Sequence, residues 1–148
     1  MLALTRQNLP QLRHQGEMLS ARGAYTLRTA EHARKVVLIA TGSEVEVACD
    51  TAAALEADGI GADVISMPCM ELFAQQDAAY RTDLLPGNVL KVSIEAGVTL
   101  GWERYIGQDG LSIGLDRFGA SAPAEVLFEH FGFSAEKIVP QIEAKLAK

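Results

Sequence analysis

The 148-residue chain has the size of one domain, and its 49% hydrophobic and 22% charged residues describe a globular protein with an ordinary core. No run approaches the roughly 18–20 apolar residues of a bilayer-spanning helix. The first residues, Met1 to Arg6, are too poor in apolar content for a secretory leader. A formal net charge of −6 argues against nucleic acid as a partner, so a cytoplasmic protein with neither a membrane nor a nucleic-acid partner is expected.

Residues 1–22, with Pro10, Gly16, scattered Gln and Asn and little apolar periodicity, read as an arm or linker, and the domain proper as residues 23–148. Residues 1–34 carry Arg6, Arg13, Arg22, Arg28 and Arg34 against only Glu17 and Glu31, so this basic stretch precedes an acidic body. Gly23 to Thr29 alternates weakly and reads as an edge strand, antiparallel because only a short link separates it from the strand that follows.

Val36 to Ala40 is a five-residue apolar run without charge, the pattern of a central parallel strand covered on both faces. Thr41-Gly42 breaks it, and Ser43 with Glu46 three residues later reads as a capping box. A helix starts at Glu44 with Val45, Ala48, Cys49, Ala52 and Leu55 on one stripe, and Asp58-Gly59 supplies its exit. Ala62 to Met67 is the next strand, reached by a link long enough for a right-handed crossover and stopped by Pro68.

Met70–Phe73 and Asp77–Arg81 suggest short helical turns before the Pro86-Gly87 loop. Val89 to Glu95 alternates strictly, with Leu90, Val92 and Ile94 on one face. Thr99 to Ile106 reads as a short helix whose Trp102 indole needs a partner if buried, and Leu111 to Asp116 as a further strand. Ser121 and Pro123 open a helix to about His130 that buries Val126, Leu127 and Phe131. Gly132 ends it, and Ser134 caps a last helix with Ile138, Ile142 and Leu146 on its apolar face and a basic final turn. The alternation predicts an α/β fold, a three-layer α/β/α sandwich on a mixed sheet of about five strands, mostly parallel with one antiparallel edge strand.

Chemistry-bearing groups are sparse. The Thr41-Gly42-Ser43 turn lies where backbone amides and a helix dipole can hold an anion, which supports an alternative as a stand-alone anion- or nucleotide-binding or interaction module. One glycine is not a dinucleotide fingerprint, however, and no Walker lysine accompanies it. His14, His32 and His130 are widely spaced, Cys49 and Cys69 read as packing thiols, and Glu44/Glu46 and Glu125/Glu129 as solvated helix faces. Glu95, at the carboxyl end of its strand, is expected to make a structural hydrogen bond. These residues alone supply no catalytic or metal-ligating set.

Three stretches together resemble the carboxyl-terminal third of a bacterial-type transketolase: Ala3-Leu4-Thr5-Arg6-Gln7-Asn8-Leu9-Pro10; Ser66-Met67-Pro68 with Gln75-Gln76-Asp77-Ala78-Ala79-Tyr80-Arg81 and Leu84-Leu85-Pro86; and Phe118-Gly119-Ala120-Ser121-Ala122-Pro123-Ala124-Glu125 with Phe131-Gly132-Phe133. The resemblance implies part of a thiamine-diphosphate-dependent transferase of the pentose phosphate pathway, which moves a two-carbon ketol unit between ketose and aldose phosphates with a divalent cation, Mg or Ca. In that family the cofactor is held between two preceding domains across a homodimer interface. The Gly-Asp-Gly to Asn cofactor motif and the catalytic His-bearing loops are absent from these 148 residues, so no cofactor is expected in this stretch. The Arg of the family's Thr/Ser-Arg-Gln-Asn segment contacts the substrate phosphate and corresponds to Arg6. The remaining domains of the enzyme and sugar phosphates are the implied partners, and the isolated chain is expected to be inactive.

Overall fold

In the computed structural model, residues 5, 7–13 and 16–147 are described. Arg6 and His14 lie outside them. A 3-10 turn at Leu19–Arg22 leads into β1 (Tyr25–Arg28), followed by β2 (Arg34–Ala40), α1 (Glu44–Ala57) and β3 (Gly61–Ser66). Then come α2 (Met70–Ala74), α3 (Ala78–Leu84), β4 (Leu90–Ile94), α4 (Glu103–Ile106), β5 (Leu111–Ile113), α5 (Ala124–Phe131) and α6 (Ala135–Leu146).

The strands form one sheet in the order β1-β3-β2-β4-β5. Its centre is the uncharged run of β2, where Leu38 pairs with Val64 of β3 on one side and Val92 of β4 on the other, both parallel. β5 extends the parallel set, with Ile94 opposite Ile113. β1 is the antiparallel edge, but its partner is β3 (Tyr25 opposite Ser66), not the strand to which its short link leads. The link does not close a hairpin because both edges of β2 are already taken by parallel neighbours.

Strand pleating divides the core in two. Val36, Leu38, Ala40, Val64, Val92 and Ile94 face α1 and α6, whose Leu55, Ile138 and Ile142 are fully buried, while Val37, Ile39, Ile65 and Met67 face α2, α3 and α4 through Phe73, Leu84 and Ile106. Three layers result. Each fully buried Ile or Leu contributes about 1.5–3 kcal/mol relative to exposure, enough for α6 to tolerate Pro140 inside it. The alternation in β4 is as read, but Ser93 on its polar face is 1% exposed and donates to the Ser112 hydroxyl at 3.1 Å.

Several helix ends differ from expectation. Ser43 is itself in helical conformation and makes no cap bond, so the capping box does not form. Ser134 stands at the start of α6 in extended conformation, yet its hydroxyl is buried without a hydrogen-bond partner among the described residues. In α5 Val126 is 57% exposed and none of the helix is fully buried. The Asp58-Gly59 exit and the left-handed Gly132 stop are as read.

Ionic contacts brace the amino edge of the sheet. Glu56 accepts from the backbone N–H groups of Glu31, His32 and Ala62 at 3.0, 3.1 and 2.9 Å and meets His32 Nδ1 at 2.6 Å. The Ala62 amide and the other donors hold its carboxyl down at about 2. Asp63, 4% exposed on β3, is paired with Arg34 at 2.9 Å and accepts from the Ala30 amide at 2.8 Å.

Candidate functional site at the carboxyl edge of the sheet

In an open α/β sheet, ligands enter where adjacent strands send their connections to opposite faces. That point lies between β2 and β4. The Thr41-Gly42-Ser43 turn leaves β2 for α1, whereas Glu95 to Gly101 leaves β4 for α4 on the other face. Gly42 takes φ +58°, in the left-handed region, which lets the Glu44 amide bond back to the Thr41 carbonyl at 3.3 Å and α1 begin abruptly.

The helix amino terminus is not open. Glu44 is only 7% exposed; its carboxylate accepts from the Ser43 hydroxyl at 3.2 Å and lies near its own backbone N–H and that of Ala96. It thus occupies the position an incoming anion would take, which works against the turn as an anion or nucleotide site and corrects its reading as part of a solvated face. Burial pushes the Glu44 carboxyl above its ordinary range, and the nearby Glu95 charge adds to the rise.

Glu95 makes the structural bond expected of it. Its Oε2 accepts from Trp102 Nε1 at 2.8 Å, which supplies the partner the 2% exposed indole requires. Next to it, Asp116 after β5 accepts from the Thr99 amide at 2.8 Å and from its hydroxyl at 2.7 Å, and both bonds lower the carboxyl's affinity for protons. The Leu115 amide donates to the Gly97 carbonyl at 2.7 Å. The loops after β4 and β5 are therefore clamped together. Missed in the sequence was Glu44, whose position one residue after Ser43 carries no signal of burial.

Because the Glu44 carboxyl is raised, its ionisation works against the fold: the penalty is absent below the unfolded value, near 4.5, and grows as pH rises through the folded one. Glu44→Gln keeps an acceptor oxygen while removing the charge. Thermal unfolding is expected to show a higher midpoint for the variant at pH 7 and no difference at pH 3. A lower midpoint at pH 7 would mean that the charge serves the fold.

The remaining candidates do not converge with this site. His32 sits at the amino edge beside Glu56 and His130 stacks edge-on against Phe131. Cys49 is buried and its thiol is held protonated by that burial, whereas Cys69 Sγ lies 3.4 Å from Glu71 Oε2. No three His, Cys, Asp or Glu side chains gather as a metal site among the described residues. None of the described helices is long and apolar enough to cross a membrane.

Comparison with known proteins gives a consistent answer. A family model described as the transketolase-like TK C-terminal domain matches residues 23–134. A transketolase from Rhodobacter capsulatus is 47% identical over 153 aligned residues, covering 98% of this chain and 23% of its own length. The plasmid-borne transketolase of Cupriavidus necator is 54% identical over 114 residues, covering 77% of this chain and 17% of its own. Among solved structures, a transketolase from Pichia stipitis superposes with a TM-score of 0.87 at 37% identity, over 96% of this chain and 20% of its own. The chain thus spans less than a quarter of the length of these relatives.

Proposed function

The chain belongs to the transketolase family, matching its carboxyl-terminal domain over residues 23–134, and from that membership we propose that it works as this domain of an enzyme transferring a two-carbon ketol unit between ketose and aldose phosphates. The extent of the likeness carries the reading: 47% identity runs over 98% of the chain, not over an isolated motif. Pichia stipitis transketolase has been solved with sedoheptulose 7-phosphate and fructose 6-phosphate, which supports sugar phosphates as the substrate class.

In this reading residues 1–22 are the arm from the preceding domain and 23–148 the domain itself, in a cytoplasmic homodimeric enzyme. Arg6, on the arm, reaches the substrate phosphate in the centre built by the other domains, where the planar guanidinium fork matches phosphate oxygens in a way an ammonium does not.

The cofactors of the reaction would be thiamine diphosphate and a divalent cation. The described residues do not fit them, because they gather no metal-ligating trio and Glu44 fills the helix terminus that a diphosphate would need. Both cofactors are therefore assigned to the parts of a transketolase that this chain does not span, and no step on them is routed through these residues. The isolated chain is accordingly expected to turn over nothing by itself.

The test is a graft. Replacing the matching segment of Rhodobacter capsulatus transketolase with this chain should keep ketol transfer within about tenfold of the parent, the factor that about 1.4 kcal/mol of misplacement costs. A graft that folds and holds its cofactor yet transfers no ketol group would overturn the reading.

A further inference from the structure

Most of the core is closed, yet the carboxyl edge of the sheet is not. Phe118 is 97% exposed, Leu100 81% and Val98 58%. They sit on the two loops that follow β4 and β5. Val126, on the helix after the second loop, is 57% exposed. Large apolar side chains scattered singly on a surface need no explanation, whereas several on one edge mark a contact.

These loops are also built to hold position. Thr99 is fixed by Asp116 through two hydrogen bonds. A Cβ on Gly114 would stand 2.6 Å from Thr99 Cγ2 and 2.9 Å from the Gly97 carbonyl, so the loops touch without room for a side chain between them. A rigid pair of loops with outward apolar tips loses little freedom on binding.

The polypeptide enters the domain from the same edge. β1 runs antiparallel to β3, and Tyr25 at its start lies opposite Ser66 at the carboxyl end of β3. The arm before it is held there by Arg13 over the Tyr25 ring at 5.6 Å and Arg22 over Tyr80 at 4.9 Å. More than three quarters of the Rhodobacter capsulatus relative lies outside the matched region. Whatever the arm connects to is thereby delivered to the side where the apolar tips stand.

We infer that Val98, Leu100 and Phe118 form the docking surface on which the preceding part of a transketolase seats. The proposal rests on the reading above but concerns assembly and not chemistry. The occupant is a complementary apolar surface on that preceding part.

The test measures binding of the 148-residue chain to Rhodobacter capsulatus transketolase shortened to end where the match begins, by calorimetry, with Leu100→Glu/Phe118→Glu as the variant. Both positions are exposed, so the variant should melt with the parent chain, and its affinity should fall by roughly 100-fold, as for loss of central contact residues. Asn88→Glu/Gln108→Glu, at the opposite edge of the sheet, should bind as the parent does. Unchanged affinity in the first variant, or no binding by the parent chain at 100-fold excess, would overturn the proposal. So would a concentration-dependent self-association that Phe118→Glu abolishes while binding to the shortened enzyme persists, since the occupant would then be a second copy. An assembled complex that transfers no ketol group would sink the functional reading and leave the docking surface standing.

Discussion

Gly23→Ala is expected to cost about 3–5 kcal/mol of stability, near the top of the range for single substitutions. Gly23 sits where the arm becomes β1, at φ +82°, which a side chain rarely tolerates. The space is closed as well. A Cβ there would lie 2.2 Å from the Phe73 amide nitrogen and 2.3 Å from the Cys69 carbonyl oxygen, and both are backbone atoms that no rotamer change can clear. The Gly23 carbonyl also accepts from the Cys69 amide at 3.0 Å, so shifting Gly23 would break the bond that seats α2. Gly59, at φ +74° with nothing within 4 Å of its would-be Cβ, separates the two effects. Gly59→Ala should lose only about 1 kcal/mol, from backbone strain alone. Urea unfolding of the two variants reads the difference, and equal losses would mean that the Gly23 pocket yields.

How much of this was legible depended on how many neighbours a segment has. β2 was readable from residues alone because a strand buried on both faces leaves an uncharged β-branched run, and the stripe of α1 because all five of its named positions meet the sheet or α6. Trp102 announced its need for a partner, and Glu95 met it. Short α5 misled because eight residues of helical periodicity do not say how closely anything packs against them, and Val126 faces solvent. Ser43 and Glu46 have the spacing of a capping box, but Ser43 is in helical conformation and its hydroxyl donates to the neighbouring Glu44 carboxylate instead. Asp63 carried an unused signal, since a carboxylate inside a fully buried strand demands a partner, which Arg34 provides.

The site divides in the same way. Physical reasoning from the chain assembles no catalytic set; what it does assign at the carboxyl edge, a structural bond at Glu95, is present as the Trp102 contact. The role proposed for Arg6 rests on resemblance alone, because a guanidinium on an arm carries no sequence signal that separates a phosphate ligand from any other charge.

That role gives the sharpest test. In the grafted enzyme, Arg6→Ala is expected to remove a charge-assisted contact of about 2–3 kcal/mol to a phosphate. KM for phosphorylated ketose donors should therefore rise roughly 30- to 160-fold, as that free energy requires. Arg6→Lys should recover only part of the loss, because a point charge lacks the planar fork. The decisive measurement is the ratio of KM changes between phosphorylated and unphosphorylated donors in the Arg6→Ala graft. A large rise confined to the phosphorylated donor is the predicted result; equal changes for both would contradict the claim that this chain reaches a substrate phosphate in a centre it does not itself contain.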